Sequence, residues 1–225
     1  MSRIAQKTSK WLDRGLYTPD QASRLLQLGS RVVRRWAYGH GHWLAAIMPE
    51  NPSRQDFVSF LDLVQMMAIR EIREHSKLSL QKIRAAIVAA KKQGIDFPFA
   101  RRHTAYVFRG EVVLRLSRDV IVGLTGRLRD QHLMEPIIYT YMDDLGFDDR
   151  GIANLYVPMR RAHRCIQLDP LINFGAPSVM PCRYTVESLV NARWSEGTVE
   201  EAASVCGVSE ADVKLALDYE ASLAA

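Results

Sequence analysis

Apolar side chains recur along the first forty residues at helical intervals. In "TPDQASRLLQLGSRVVRRW" they stand at Ala22, Leu25 and Leu26, then at Val32, Val33 and Trp36. Spacings of three and four put each set on one helical face, so the stretch predicts two short helices. Thr18 is a natural N-cap, Pro19 suits the first helical position, and Gln21 completes a capping-box-like start. Gly29 and Ser30 break the first helix and cap the second, which Gly39 ends. "GHGHWLAAIMPENPSRQD" is rich in Gly, Pro and Asn and suits a wing or loop. From Asp56 the pattern becomes a long helix, with Phe57, Phe60, Leu61, Val64, Met67, Ala68 and Ile72 as its apolar stripe. That stripe has enough apolar residues to serve both the core and a dimer partner. A further helix, "KLSLQKIRAAIVAAKKQG", carries Leu80, Ile83, Ile87 and Ala90 on one face, and Gly94 and Pro98 close it.

The period then shortens to two. "TAYVFRGEVVLRL" predicts a hairpin turning at Arg109-Gly110, and "DVIVGL" a third strand. "RLRDQHLMEPIIYTYMDDLGF" reads as helical, with Pro136 as a kink or break. "GIANLYVPM" and "RCIQLDP" predict two more strands. After Asp169-Pro170 come a loop, "LINFGAPSVMPC", and three helical stretches. The fold class expected is α+β and mostly helical, with a small antiparallel sheet in the middle. The expected domains are 15–97, a winged helix-turn-helix; 98–165, an α+β segment; and 166–225, a helical domain holding a second helix-turn-helix.

That second unit repeats the first. "TVEEAASVCGVSEADVKLAL", from Thr198, aligns with the stretch from Thr18 so that Ala22 matches Ala202, Leu25 Val205, Leu28 Val208 and Val33 Val213. Charge separates the two. A helix lying beside phosphates needs neutral or basic outward residues. The first unit's second helix carries Arg31, Arg34 and Arg35 at i, i+3 and i+4, opposite Val33 and Trp36, with Ser30 at its start and Tyr38 beyond. With Thr18, these six are the expected DNA contacts. The equivalent helix of the second unit sets Glu210, Asp212, Asp218 and Glu220 against Lys214 alone, which phosphates would repel. Its apolar residues Val205, Val208, Val213, Leu217 and Tyr219 still supply a small core, so it is expected to keep the shape as a protein-docking surface.

Composition narrows the classes. The chain has 225 residues, 48% of them hydrophobic, enough for packed cores. A net charge of +5 and a pI near 9.2 favour polyanionic partners. Cys165, Cys182 and Cys206 form no CxxC pair, so free thiols in a reducing cytoplasm are expected rather than a zinc site. No apolar run has the length of a spanning helix, and "MSRIAQKTSKWLDRG" lacks a signal-peptide core, so a cytoplasmic protein without membrane association is expected. "DDLGFDD" (Asp143, Asp144, Asp148, Asp149) reads as a solvated loop before a magnesium site, and His40 and His42 lack a third ligand. No nucleophile elbow, P-loop or HExxH is present. The expectation is no enzyme, no metal and no cofactor.

The quoted segments resemble known families. Residues 17–36 followed by "SFLDLVQMMAIREIREHSKLSLQKIRAA" resemble a MerR-type winged helix-turn-helix domain, whose later helix carries a "GxSLxxIR" phrase, here "KLSLQKIR". "IQLDPLINFGAPSVMPCRYTVESLVNARWSEGTVEEAASVCGVSEADVKLALDYE" resembles the bacterial domain of unknown function 433 through Pro170, Gly175, Pro177, Val186, Ala216 and Tyr219 in order. In that order the two resemble VapB-like antitoxins encoded beside PIN-domain ribonuclease toxins. The resemblance implies an antitoxin that binds its PIN-like toxin, represses its own operon by binding operator DNA, and acts as a homodimer or in a larger complex with toxin. A PIN site is a ring of carboxylates around a divalent metal, which an antitoxin arginine could pair with bidentately. Arg101 and Arg102 in "FARRHT", and Arg160, Arg161 and Arg164 in "PMRRAHRC", are the residues considered for that role. The alternative is a MerR-type regulator whose C-terminal domain binds a ligand or another protein.

Overall fold

The computed structural model describes residues 15–39, 47, 57–76, 78–102, 104–108, 111–115, 121–123, 135–136 and 142–224. Over these residues the chain is α+β and mostly helical, with seven α-helices and small antiparallel sheets. It divides into two compact units. One comprises the described residues of Asp144–Gly146 and Asn154–Ala225, and the other holds those of Leu12–Asp143 together with Phe147–Ala153. The boundary expected at 165/166 falls inside a strand of the first of these.

In the N-terminal unit, β1 (Gly15–Tyr17) pairs antiparallel with β2 (Val58–Ser59), joining the approach to α1 (Pro19–Leu26) with the approach to α3 (Phe60–Ser76). Ser59 and Asp62 set where α3 starts. The Ser59 hydroxyl donates to Asp62 Oδ2 at 2.6 Å, and Asp62 N–H donates back to Ser59 Oγ at 3.1 Å. This reciprocal cap satisfies donors that a helix start leaves open. The long helix therefore begins at Phe60 rather than Asp56, and Phe57, expected on its apolar stripe, is 49% exposed.

Every residue of α3 from Phe60 to Ile69 is buried within its own chain. Phe60, Leu63, Met66, Ile69 and Ile72 are almost fully inaccessible, and each such side chain stabilises by about 1.5–3 kcal/mol. A helix buried on every side is a core helix, so this stretch keeps no free stripe for a second copy, contrary to expectation. α4 (Leu80–Lys92), capped by Ser79, buries Ile83, Ala86, Ile87 and Ala90, while Leu80 is half-buried. A single 3-10 turn at Pro98–Ala100 packs on α3.

β3 (Thr104–Phe108) and β4 (Glu111–Arg115) form the expected hairpin, and β5 (Ile121–Gly123) pairs with β4 as the expected third strand. The segment expected to be helical is not so where it is described. Glu135–Pro136 is a strand, β6, on the free side of β3, and Leu145–Phe147 is another, β7, after one 3-10 turn at Met142–Asp144. Proline has no N–H for a helical ladder but is accepted at a sheet edge, and β6 is an edge strand of this sheet. The expected wing between α2 and α3, with His40 and His42, lies outside the described residues except for Gly39, which ends α2, and Ile47, which is buried and donates its N–H to the Trp36 carbonyl at 3.1 Å.

In the C-terminal unit, β8 (Ala153–Arg161) and β9 (Arg164–Leu168) pair with Arg161 opposite Arg164, turning at Ala162-His163 with Ala162 at φ 49°. Beyond Asp169, within the expected loop, β10 (Ser178–Met180) returns to pair with β9, and β11 (Tyr184–Thr185) pairs with β10. The sheet order is β11-β10-β9-β8-β7. The three expected helices follow as α5 (Val186–Glu196), α6 (Val199–Cys206) and α7 (Glu210–Ala224). Their core joins Ile166 and Val179 of the sheet to Leu189, Ala202, Val213, Ala216 and Tyr219. Val205, expected in this core, is 67% exposed. No helix among the described residues is long and apolar enough to cross a membrane.

Candidate nucleic-acid interface

α1 and α2 (Ser30–Tyr38) form a helix pair whose start and turn are fixed by local residues. Thr18 N–H donates to Gln21 Oε1 at 2.9 Å, and Gln21 N–H donates to Thr18 Oγ1 at 3.2 Å. α1 ends with Gln27 in the left-handed region, φ 50° and ψ 42°. Gln27 N–H then reaches the Arg24 carbonyl at 3.2 Å and Leu28 N–H the Ser23 carbonyl at 3.0 Å. These two bonds close a Schellman-type turn and satisfy the carbonyls that a helix end exposes.

The pair is held on α3 by two arginines. Arg70 Nη1 donates to the Leu26 carbonyl at 2.6 Å, and the Arg73 guanidinium lies 5.8 Å from the Trp36 ring centroid. On α2, Val33, Trp36 and Ala37 are buried, while Arg31, Arg34 and Arg35 are all exposed. At about 100° per residue the three arginines span about 100° of arc on the side away from that core.

The six expected DNA contacts divide by what they already hold. Thr18 is the cap of α1. The Tyr38 hydroxyl donates to the Phe57 carbonyl at 2.8 Å, tying the end of α2 to the approach to α3. The Ser30 hydroxyl donates to Asp20 Oδ1 at 2.5 Å, and Arg34 Nη2 stands 3.8 Å from Asp20 Oδ2. That pair is longer than a hydrogen bond, and its side chains are 51% and 71% exposed, so it is a weak Coulombic contact. Arg31 and Arg35 make no ion pair among the described residues and project into solvent.

The second helix pair repeats this backbone at an offset of 180 residues. Thr198 caps α6, its Oγ1 accepting from Glu201 N–H at 3.1 Å. Gly207 takes the place of Gln27 at φ 65°, and Val208 N–H reaches the Ala203 carbonyl at 3.0 Å as Leu28 reaches Ser23. Its charges are arranged differently from expectation. Glu210 is paired with Lys214 at 2.8 Å. Asp212 does not face outward, having a side chain only 7% exposed and serving as the cap partner of Ser209, whose hydroxyl donates to Oδ2 at 2.6 Å. Arg164 from β9 donates Nε to Asp212 Oδ1 at 2.7 Å and Nη2 to Ser209 Oγ at 3.1 Å. Burial alone would raise the Asp212 pKa; the hydrogen bonds from the Ser209 hydroxyl, the Ser209 N–H and Arg164 outweigh it and hold the carboxyl below its ordinary range.

The residues considered for a toxin are thereby separated. Arg164 is part of the internal structure and is not free to meet another carboxylate. Arg160 and Arg161 are exposed beside the Ala162-His163 turn, with Arg160 3.9 Å from Asp144. In the N-terminal unit, Arg101 donates Nε to the Asp96 carbonyl at 2.6 Å, and the Arg102 guanidinium stands 5.4 Å from the Phe147 ring centroid. Asp148 of the acidic segment turns its carboxylate inward, accepting from the N–H groups of Arg150 and Ile152 at 3.0 and 2.9 Å.

No family model and no curated protein matches this chain. A solved structure does. The X-ray crystal structure of Rv2018 from Mycobacterium tuberculosis superposes with a TM-score of 0.61 at 17% sequence identity, covering 92% of this chain and 99% of that one. At that identity the likeness is one of fold alone.

Sequence reading missed the part played by Asp20 and by the Ser209–Asp212 pair. Asp20 was given no role, and nothing in a linear pattern pairs it with a residue fourteen positions on. Ser209 and Asp212 carried a usable signal, the Ser-x-x-acid spacing of a capping box, which Ser59 and Asp62 repeat.

Proposed function

We propose that this chain is a cytoplasmic antitoxin of a type II toxin-antitoxin system, binding operator DNA through its N-terminal helix pair and a PIN-like ribonuclease toxin through its C-terminal unit. α1 and α2 are read as a helix-turn-helix, with α2 the helix offered to the groove. The observation that carries the DNA reading is the exposure of Arg31 and Arg35, without carboxylate partners among the described residues, on a helix whose opposite face is anchored to α3. α6 and α7 are read as a second helix-turn-helix that does not touch DNA. The segment Val186–Ala224 carries eight carboxylates against two cations, and a phosphate surface repels that balance.

A protein partner for the C-terminal unit is supported by its surface. Leu171, Phe174, Tyr184, Trp194 and Val205 are large apolar side chains left exposed there, Trp194 by 78% and Phe174 by 73%. Exposed aromatic and apolar anchors are characteristic of protein interfaces. Arg160 and Arg161, exposed on the hairpin turn of the same unit, are read as the cations that meet a nuclease's carboxylates.

Co-expression of the tagged chain with the product of the adjacent reading frame, followed by pull-down and a nuclease assay, tests the reading. Co-purification with suppression of ribonuclease activity supports it. Absence of any complex, with duplex binding retained, would leave a DNA-binding regulator and remove the antitoxin role.

A further inference from the structure

We propose that Asp20 is a specificity-determining residue of the DNA interface: its carboxylate, held by Ser30, positions Arg34 and opposes sequence-independent attraction of phosphate. The inference rests on the DNA-binding reading above and adds a discriminating element to it.

Three observations carry it. Asp20 lies in the first turn of α1, yet its side chain reaches α2, the helix bearing the arginines. One oxygen receives the Ser30 hydroxyl, and the other faces the Arg34 guanidinium. Of the three arginines that share the exposed face, Arg34 alone has this carboxylate partner, while Arg31 and Arg35 carry none among the described residues.

The physical consequences differ for the two kinds of contact. A negative charge at the edge of the arginine face repels every phosphate, whatever the base sequence, so it weakens non-specific binding. The same carboxylate limits the positions open to the Arg34 guanidinium. An arginine biased toward one side can present its fork to a base edge, where geometry decides the pairing, better than one that swings freely between phosphates. Because the Arg34–Asp20 contact is long and exposed, it directs the guanidinium without trapping it. Asp20 thus gives up general affinity and gains discrimination, with Arg31 and Arg35 left to the backbone.

The test uses the full-length protein and two duplexes: one enriched from a random library by the wild-type protein, and a shuffled duplex of the same composition. Affinities are read by fluorescence anisotropy over a salt series, with helix content checked by circular dichroism. Asp20→Asn is expected to bind the shuffled duplex roughly threefold more tightly, with a salt slope steeper by up to about one unit. The enriched duplex gains less, so the affinity ratio falls. Asp20→Glu retains the charge and restores the ratio, which a merely structural role for Asp20 would not require. Ser30→Ala releases the carboxylate without altering its charge and lowers the ratio. In an Arg34→Ala background, Asp20→Asn leaves the ratio unchanged. An Asp20→Asn variant that shifts both duplexes by the same factor, or an Asp20→Glu variant that behaves like it, overturns the inference while leaving DNA binding intact. A wild-type protein that binds neither duplex overturns the DNA-binding reading and this inference together.

Discussion

Arg31, Arg34, Arg35 and Arg164 are all arginines in basic stretches, and their neighbours give them different work. Arg31→Ala and Arg35→Ala are each expected to lower the salt slope of duplex binding by about 0.9, the contribution of one phosphate contact. Glu210→Ala, on the acidic helix, leaves that slope where it was; a slope unchanged in the double arginine variant would remove these residues from the interface. Arg164 belongs to stability instead. Arg164→Ala strips Asp212 of a charged donor and should cost about 2 kcal/mol in urea unfolding at neutral pH. The pH dependence follows from the depressed carboxyl. A group with a lowered folded pKa stabilises fully above its unfolded value, and that contribution disappears as pH falls through the folded one. Wild-type stability should therefore drop on acidification across the carboxylate range, and Arg164→Ala should show a shallower drop. The chain order disclosed the guanidinium but not its partner, because β9 and α7 meet only when the fold brings residues 48 positions apart together.

Among the elements, the two helix pairs form a natural comparison. Both turn through a left-handed residue, Gln27 in one and Gly207 in the other. A side chain in that region costs about 1 kcal/mol that glycine avoids. Gln27→Gly should accordingly raise stability, and Gly207→Gln should lower it, each by about 1 kcal/mol in thermal or urea unfolding. A Cβ at Gly207 would meet nothing within 4 Å, so backbone conformation and not crowding sets the cost. Opposite signs for the two variants confirm that the turns are equivalent; equal signs would contradict it. The repeat itself was visible in the spacing of threonines and apolar residues. The position of Val205 was not, since helical periodicity identifies a stripe without saying whether a neighbouring element covers it.

At the scale of the whole molecule, the sheet decides where the chain can be divided. β9 pairs with β8 before it and β10 after it, so cutting at Asp169 would strip β10 from the sheet and leave Arg164 without Asp212. Tests of the C-terminal unit are better made with surface variants. If the proposed antitoxin role holds, Arg160→Glu with Arg161→Glu is expected to weaken neutralisation of the proposed toxin in a growth-rescue assay while leaving duplex binding unchanged; full rescue at equal expression would discard the hairpin as the inhibitory element. We propose a homodimer in solution, as two-fold operators require, with its contact lying outside the buried stretch Phe60–Ile69. Light scattering at micromolar concentration should give at least twice the chain mass, and a monomeric mass with and without toxin would overturn it.

Local chemistry was legible along the chain because it acts over a few residues. Thr18, Gln21 and Pro19 mark a helix start, alternation marks β3, β4, β8 and β9, and i, i+3, i+4 spacing puts three arginines on one face. The segment around Glu135–Pro136 was not legible in this way, because the largely apolar run 133–139, interrupted by proline, has no period strong enough to separate a kinked helix from an edge strand. Long-range contacts had no such signature. Whether α3 kept an apolar face for a partner, whether Asp212 pointed outward, and which arginine Asp20 would meet all depended on elements far apart in sequence. Burial and ion pairing are properties of surroundings, and for these residues the surroundings exist only in the folded chain.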